Sequence, residues 1–468
     1  MDITSKKLQL KSEVGLMGGI SLVAGVMIGS GIFMSPQTVL LNIGSPGASL
    51  VIWTCCGLLA MLASLSYAEL GTVIRESGGE YIYIIRTSGN LMAFIFAFTS
   101  VLVVRPTSMA GVALSFAQNA AAPFYENCAP PDVVVKSVAA VGLLILAIVN
   151  CLSVRFSIAV STILMAAKFF GLVVISIGGV VLLIQGNTSN LQNSFEGTNQ
   201  SIGVIGMAFY QCLWSYDGWN NLNSVTEELK RPEVNLPRAL MIAIPTVTLL
   251  YLLVNVSYLA AMTPREIMVS SAVAVTWGNK VLGSWGWMMS IAAALSSFGS
   301  LNGSLFCGGR ICFVAAQEGH MPNILAMAHV RRLTPFPALI FTTIISLFVL
   351  IPGDFQGIVT FFSFTAWFFY GVTIGGLLYL KIKFPDLPRT YTVPIFIPVL
   401  VLLMAVFLVL APIIDNPQLE YLYVTLFILS AALIYIPFIH FKLCPGLLDK
   451  LTVVLQLFLE VAPVDKNV

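Results

Sequence analysis

The chain contains twelve apolar segments, each long enough for a helix of about 20 residues. A helix of that length crosses the hydrocarbon core of a bilayer, which is about 30 Å thick. The composition agrees, because 58% of the 468 residues are hydrophobic and only 9% are charged, outside the usual range of soluble domains. We therefore predict an all-α polytopic membrane protein with twelve transmembrane helices, at residues 14–41, 48–74, 91–119, 133–152, 159–184, 202–226, 238–262, 283–314, 335–352, 357–380, 394–414 and 420–441.

The basic residues indicate which side of the membrane each loop faces. If residues 1–13 are cytoplasmic, eighteen of the 23 Lys and Arg residues lie on the cytoplasmic side and only three lie outside. Such an excess sets the orientation of membrane proteins. We therefore expect both termini to be cytoplasmic, and we expect no removable signal peptide, because residues 1–13 lead into a long apolar span without a small-residue cleavage site.

The cytoplasmic tail at 442–468 carries an apolar stripe of helical period between Leu447 and Glu460. This stripe predicts an amphipathic helix. Two placements remain open: the helix lies on the lipid surface of the membrane, or it packs against the bundle.

Two apolar segments contain sequences that break a helix at membrane depth. Residues 29–31 read GSG in the first segment, and residues 215–220 read SYDGWN in the sixth. Irregular backbone at this depth survives only where protein buries it or where it lines a wet cavity. Two such breaks in corresponding segments point to the substrate site of a transporter. For the glycines alone, a packing contact between helices is the alternative.

The first break predicts a site for an α-amino acid. The half-helix that starts at Ser30, Gly31 and Ile32 has backbone N–H groups without helical partners, and its positive dipole end suits a carboxylate. The preceding half-helix ends near Met27, where carbonyl groups can accept hydrogen bonds from an ammonium. A carboxylate receptor beside an ammonium receptor matches the backbone of an amino acid.

The second break adds two candidate substrate-binding residues, Trp214 and Asp217, which would share one face of a helix. Trp214 offers a carbonyl to the amine and an apolar lid, or it is an ordinary core aromatic. An acidic group such as Asp217 is costly at membrane depth and marks a functional site by default. Asp217 therefore pairs with a cationic substrate side chain, caps the second half-helix, a position that favours Asp, or does both.

Three further charged residues fall within or near apolar segments. An ammonium at Lys168 could hold the carbonyl groups that a sodium ion would otherwise hold, which predicts sodium-independent transport. Arg105 either tunes the electrostatics of a central cavity, or snorkels or pairs with a backbone carbonyl. Glu69, toward the cytoplasmic end of the second segment, is expected to anchor a loop.

Cys128 is the only one of the eight cysteines that the topology places in an external loop. A lone cysteine in an oxidising compartment either bonds to another chain or remains an unpaired thiol. The residues alone leave these alternatives open.

The sequence does not predict an enzyme. No Walker, Ser-His-Asp or Rossmann pattern occurs in a suitable context, and the three histidines lack metal-ligand spacing. We expect no cofactor, no metal site and no nucleic-acid partner, because the basic residues edge the membrane instead of forming a patch.

Several motifs resemble the light subunits of heteromeric amino acid transporters, the L-type amino acid transporter family. They are residues 28–36 (IGSGIFMSP), 66–71 (SYAELG), 77–81 (SGGEY), 215–220 (SYDGWN) and 318–322 (EGHMP). Residues 194–197 (SFEG), 216–219 (YDGW) and 331–335 (RRLTP) look most similar to the system b-zero-plus type. The resemblance covers nearly the whole chain. It implies a LeuT-like five-plus-five inverted repeat at 14–380 with helices one and six broken, followed by two helices at 394–441.

The resemblance also implies a function and roles for residues. It implies sodium-independent exchange of amino acids across the plasma membrane, in epithelia at the apical side, by the light chain of a disulfide-linked heterodimer. The carboxylate would bind at Ser30, Gly31 and Ile32, and the amine at Met27 and the backbone near Trp214. Lys168 matches the lysine at the sodium position, and Cys128 matches the cysteine that bonds a single-span glycoprotein heavy subunit.

The departures from the b-zero-plus type leave the substrate range open. Asp217 matches an aspartate of that type where the large-neutral type has glycine, but Arg105 replaces a lysine, and residues 460–464 lack the consecutive prolines. The candidates are neutral amino acids including aromatic ones, cationic amino acids and cystine, with an aromatic-preferring paralogue as one form. A sodium-coupled symporter of the same fold and a non-transporting scaffold or receptor subunit are the alternatives.

Overall fold

The computed structural model describes residues 15–76, 78–443 and 445–463. The predicted N-terminal segment at 1–13, Ser77, Cys444 and residues 464–468 lie outside the described residues. The seventeen α-helices of the described part are α1 Leu16–Met27, α2 Gly31–Ile43, α3 Pro46–Val73, α4 Glu80–Thr99, α5 Arg105–Ala121, α6 Asp132–Leu152, α7 Val154–Ile184, α8 Ile202–Ser215, α9 Pro232–Ala261, α10 Pro264–Val269, α11 Val273–Val281, α12 Trp287–Gln317, α13 Phe336–Leu350, α14 Phe355–Lys383, α15 Phe396–Asp415, α16 Leu419–Tyr435 and α17 Pro445–Leu459. Two strands, β1 Met327–His329 and β2 Val461–Pro463, complete the regular elements together with short 3₁₀ and π segments.

The chain is a polytopic all-α membrane protein. Among the described residues, eight helical segments are long and apolar enough to cross a membrane, and the bent pair α1–α2 makes a ninth. The other three predicted spans correspond to α8 and α13, which are apolar but shorter, and to α12, which has 31 residues. Each of the twelve apolar segments therefore contains a helix.

Both predicted helix breaks occur in the structure. Helices α1 and α2 meet at an angle of 50°, with Ile28, Gly29 and Ser30 between them. Helix α8 ends at Ser215, and the chain continues through Gly218, whose φ of +104° is easy only for glycine. The second half of this segment is a 3₁₀ stretch, Asn221–Glu228, and not the α-helix that the sequence pattern suggested.

The helices pack in two groups. Helices α1 and α3 contact α9, α2 and α3 contact α8, and α2 contacts α3, whereas α5, α6, α12 and α13 all contact one another. Helix α7 packs against both α9 and α12 and so joins the two groups. The first, second, sixth and seventh predicted spans thus form one group, and the third, fourth, eighth and ninth form the other; the inverted repeat stays a prediction.

The C-terminal segment closes one end of the bundle, which we call the tail end; the opposite end is the Cys128 end. Strand β2 pairs antiparallel with β1, with Ala462 opposite Ala328. Helix α17 packs Leu455 and Leu459 against the core, while Leu447, Leu451 and Phe458 stay exposed. One edge of this helix packs on the bundle, and its other apolar residues remain uncovered. The strand pair was not predicted, because strands of three residues are too short to show an alternating sequence pattern.

A buried ion network anchors the loop that follows α14 at the tail end. The fully buried carboxylate of Glu69 lies 3.0 Å from Lys381 Nζ and 3.4 Å from Arg389 Nε. The backbone N–H of Val393 donates to Glu69 Oε2 over 3.4 Å, and Lys381 donates to the Val393 carbonyl over 2.7 Å. Glu69 therefore has the loop-anchoring role that its position predicted.

Candidate functional site

The start of α2 presents three backbone amides without a partner. Among the described residues, the N–H groups of Ser30, Gly31 and Ile32 donate to no backbone carbonyl outside the helix, and no side chain caps this end. All three residues are buried. Free N–H groups at the positive end of a helix dipole form an anion site, which is the geometry expected of a carboxylate receptor.

The glycines of this break also make close helix contacts. A Cβ atom built on Gly31 would lie 2.5 Å from Ser215 Oγ, and one on Gly29 would lie 2.5 Å from Ser300 Oγ. Only glycine allows α2 to approach the end of α8 this closely. Helix packing and ligand binding are therefore compatible explanations of these glycines, because the close contact between α2 and α8 also places the free amides of α2 beside the second break.

A tyrosine of α9 links the two breaks. The Tyr251 hydroxyl lies 2.6 Å from the Met27 carbonyl and 2.8 Å from the Ser215 carbonyl. The Tyr258 hydroxyl donates to the Ile32 carbonyl over 3.3 Å. The Met27 carbonyl therefore already has one partner, and an ammonium would share it through the second lone pair.

The structure separates Trp214 from Asp217. The Trp214 ring lies edge-on to Phe362, with centroids 5.2 Å apart, and packs so closely on Gly111 that a Cβ there would lie 2.9 Å from the ring. The Trp214 carbonyl accepts the Asp217 N–H over 3.3 Å. Trp214 is thus a packed aromatic in the core, and only Asp217 lines the central cavity.

The central cavity has about 30 Å³ of space for water and lies between α4, α5, the second break and α14. Its lining contains two carboxylates, one guanidinium, two amides, a hydroxyl and a phenol. The lining residues are Glu80, Phe96, Ser100, Val104, Arg105, Asp217, Asn220, Asn221, Phe362, Ala366, Phe369 and Tyr370.

The charges of this cavity are not paired with one another. Arg105 interacts electrostatically with both Glu80 and Asp217, yet no ion pair within 4.0 Å joins them in the described part of the chain. Asp217 Oδ1 accepts a hydrogen bond from the Tyr370 hydroxyl over 3.4 Å, and Asn220 donates to Glu80. These charges face a space of about 30 Å³, which suits one or two water molecules, and a charged group of a ligand would enter it only if the surrounding helices move apart.

Asp217 lies within the break, before the 3₁₀ stretch that forms the second half of its segment. That stretch begins after Asn220, which makes no side-chain capping hydrogen bond. The Asp217 carboxylate accepts the N–H of Gly218 within the break and also lines the central cavity, so both roles stay predictions. The position of Arg105 favours the central cavity over snorkelling.

Lys168 connects α7 to the first half of the broken helix. Its Nζ donates to the Gly25 carbonyl over 3.0 Å, and the residue is 8% exposed. Among the described residues no carboxylate lies within 4.0 Å of it. A fixed ammonium therefore holds a backbone carbonyl of α1, and its place at a sodium position stays a prediction.

Cys128 lies in the loop between α5 and α6, at the end opposite the tail. It is exposed and forms no disulfide in the chain. The other cysteines of the described part are Cys55, Cys56, Cys151, Cys212, Cys307 and Cys312. Cys128 is thus placed to react with another chain.

A family model described as amino acid permease matches residues 15–438, which is most of the chain and all twelve apolar segments. The chain belongs to the amino acid permease family. The match begins at the first described residue and ends in the last membrane helix, so that α17 and β2 lie beyond it.

Three relatives of the permease illustrate the range of the family. The b(0,+)-type amino acid transporter 1 of Mus musculus is 48% identical over 464 residues, 99% of this chain and 95% of the relative. The large neutral amino acids transporter small subunit 2 of Mus musculus is 43% identical over 411 residues, 87% and 77% of the two chains. The cystine/glutamate transporter of Homo sapiens is 39% identical over 462 residues, 98% and 92% of the two chains.

Four residues of the candidate site were not predicted from the sequence: Glu80, Asn220, Tyr251 and Tyr370. Tyr251 could have been found, because it lies seven residues before Tyr258 and the two therefore share a helix face. Tyr370 stands in a run of aromatic residues, and nothing in the sequence distinguishes it from the other members of that run. Glu80 and Asn220 meet across 140 residues, which no local pattern reports.

Proposed function

We propose that the permease exchanges amino acids across the plasma membrane without sodium, as the light chain of a heterodimer. The observation that carries this proposal is the set of free amides at Ser30, Gly31 and Ile32, buried beside a second broken helix. These amides would bind the substrate carboxylate. The carbonyl groups of Met27 and of the segment around Trp214 would receive the amine, with Tyr251 holding the two breaks at a fixed distance.

The substrate side chain would extend toward the central cavity. Asp217 and Glu80 supply two negative charges for a cationic side chain. Arg105 offsets one of them, so that one negative charge remains. The aromatic lining from Phe96, Phe362 and other rings suits apolar and aromatic side chains. We therefore infer neutral amino acids including aromatic ones, cationic amino acids and cystine as substrates. The names of the relatives, which include b(0,+)-type, large neutral and cystine/glutamate transporters, support this range.

Sodium independence follows from Lys168 in this proposal. The ammonium holds the Gly25 carbonyl at the end of the first half-helix, so a positive charge is already present where a sodium ion would bind. A sodium-coupled symporter would need that position for the ion.

The partner would be a single-span glycoprotein bonded to Cys128. The loop from Tyr125 to Pro131 is exposed at the end opposite the tail, which the positive-inside bias assigns to the outside. One relative is named as a small subunit, which supports a larger companion. Both termini would then be cytoplasmic, and in epithelia the complex would occupy the apical membrane.

Proteoliposomes loaded with unlabelled leucine test the exchange. External labelled leucine, tyrosine, arginine and cystine should enter only when an internal amino acid is present, and replacing sodium by choline should leave uptake unchanged. Strict sodium dependence would establish the symporter, and the absence of uptake for every amino acid would establish the scaffold.

A pair of glycine variants tests the site itself. Gly31→Ala would place a Cβ atom 2.5 Å from Ser215 Oγ and should abolish uptake, whereas Gly375→Ala, with open space around it in α14, should retain it. Equal uptake by both variants would contradict a substrate site at the break.

Cys128→Ser tests the partner. Non-reducing electrophoresis of membranes that contain the heavy chain should show a covalent heterodimer, and this band should disappear in the variant. A band that persists in Cys128→Ser would reject the assignment.

A further inference from the structure

A second cavity lies at the Cys128 end, apart from the central one. Its volume is about 250 Å³, close to the lower limit of about 300 Å³ for pockets that hold drug-sized ligands. It lies between α2, α8, α14, α15 and the start of α16. The lining residues are Asn42, Gly203, Val204, Met207, Gln356, Pro412, Asp415, Asn416, Gln418 and Tyr421.

One carboxylate determines the charge of this cavity. Asp415 Oδ1 accepts a hydrogen bond from Ser201 over 2.9 Å, and no cation lies within 4.0 Å of Asp415 among the described residues. Glycine at 203 permits this approach, because a Cβ there would lie 1.9 Å from Asp415 Cβ. Asp415 is exposed, so the cavity carries a negative charge at its mouth that no cation of the described residues pairs, which favours a cationic ligand.

The remaining lining shows what else the ligand would carry. Val204, Met207 and Pro412 form an apolar wall, and Tyr421 closes it with its hydroxyl directed at Met207 Sδ over 3.6 Å. Amides of Asn42, Gln356, Asn416 and Gln418 supply the polar rim. No arginine or lysine lines the cavity, so a ligand carboxylate would find no cationic partner there. An amine attached to an apolar or aromatic group fits this lining better than an amino acid does.

The cavity spans two sets of helices. Asn42 belongs to the second half of the broken helix, and Gly203 to α8, which packs against it through Gly31 and Ser215. Gln356, Asp415 and Tyr421 belong to three other helices. A ligand in the cavity would therefore bridge the α2–α8 pair to α14, α15 and α16 and hold their spacing.

We propose that this cavity binds a small apolar amine without a carboxylate and thereby slows exchange from the Cys128 side. The effect on exchange rests on the proposed function, whereas binding itself does not. The ligand would occupy a site separate from the substrate, and inhibition would therefore be non-competitive.

The probe is tyramine, an aromatic amine that lacks the carboxylate required by the free amides of α2. Binding to the purified full-length protein is measured by calorimetry, and inhibition is measured on leucine uptake. Asp415→Asn should weaken tyramine binding at least about tenfold, the effect of losing a charge-assisted hydrogen bond. Met207→Trp should abolish binding by filling the cavity, and Asp217→Asn should leave it unchanged.

The outcomes separate the two proposals. Tyramine binding that depends on Asp415 and Met207 supports the cavity even if no amino acid is exchanged. Binding that is lost in Asp217→Asn and retained in Asp415→Asn would place the amine in the central cavity and overturn the proposal, as would the absence of binding. Competitive inhibition of leucine uptake would overturn the non-competitive effect.

Discussion

Two buried groups of charged side chains in this permease differ in how their charges are satisfied. At the tail end, one carboxylate, Glu69, faces two cations within 3.4 Å. In the central cavity, the carboxylates of Glu80 and Asp217 share one guanidinium, and no ion pair within 4.0 Å forms among them in the described residues.

The difference follows from the cost of desolvation. A buried charge is stable only when a partner and hydrogen bonds replace its water, and the Glu69 network supplies both. In the central cavity, by contrast, only a small volume of water or a bound ligand can solvate the charges. Complete pairing therefore marks a structural anchor in this chain, and incomplete pairing at membrane depth marks the site.

The largest effect is expected from breaking the paired group. Glu69→Gln would leave Lys381 and Arg389 buried without a counter-charge, and such a loss costs about 3–5 kcal/mol. The melting temperature of the detergent-purified protein should fall strongly. Glu80→Gln is the matched control, because its carboxylate faces the cavity and not a buried cation within 4.0 Å. Equal shifts in the two variants would remove the distinction between the groups.

A second variant concerns the cation that has a carbonyl as its partner. Lys168→Ala would leave the Gly25 carbonyl without its hydrogen bond, and α1 would lose its link to α7. A bond to a charged group contributes about 1.5–3 kcal/mol, so uptake should fall at least about tenfold for every substrate. Lys280→Ala, which removes a half-exposed partner of Glu266, serves as control and should retain uptake.

A third variant sharpens the role of the unpaired carboxylates. Asp217→Asn should reduce arginine uptake about tenfold or more relative to leucine uptake, because a charge-assisted bond to the substrate is lost. Neutral substrates have no such bond to lose. The ratio of arginine to leucine uptake is the measurement. A variant that affects both substrates mildly and alike would assign Asp217 a structural role only.

The smallest effect is expected at an exposed ion pair. Lys280, 2.6 Å from Glu266, lowers the pKa of that carboxyl below its ordinary value. A lowered pKa in the folded state means that the stabilisation is present above about pH 4.5 and is lost as the pH falls through the lowered value. Because the pair is almost half exposed, its contribution should stay below about 1 kcal/mol. Melting temperatures of the parent and of Lys280→Ala should therefore converge slightly as the pH falls toward 3. If the difference in melting temperature between the parent and Lys280→Ala increased as the pH fell, the predicted direction would be wrong.

Much of the site follows from local sequence. The breaks at 29–31 and 215–220 and the free amides of Ser30 and Gly31 each depend on a few adjacent residues. Trp214 shows the limit of the same reasoning. Its spacing from Asp217 predicts a shared helix face, but the helix ends at Ser215, before Asp217 is reached.

The sequence by itself determined the class of the protein, because a chain with twelve apolar segments of membrane length has few folds open to it other than a polytopic all-α membrane protein. It also determined where the backbone would be irregular, since glycine and polar residues act within their own segment. The tertiary structure decided which groups meet. Tyr251 reaches the Met27 carbonyl across 224 residues, and Asn220 reaches Glu80 across 140. Such contacts depend on helix packing over the whole bundle, and no periodicity along the chain records the distance between two helices.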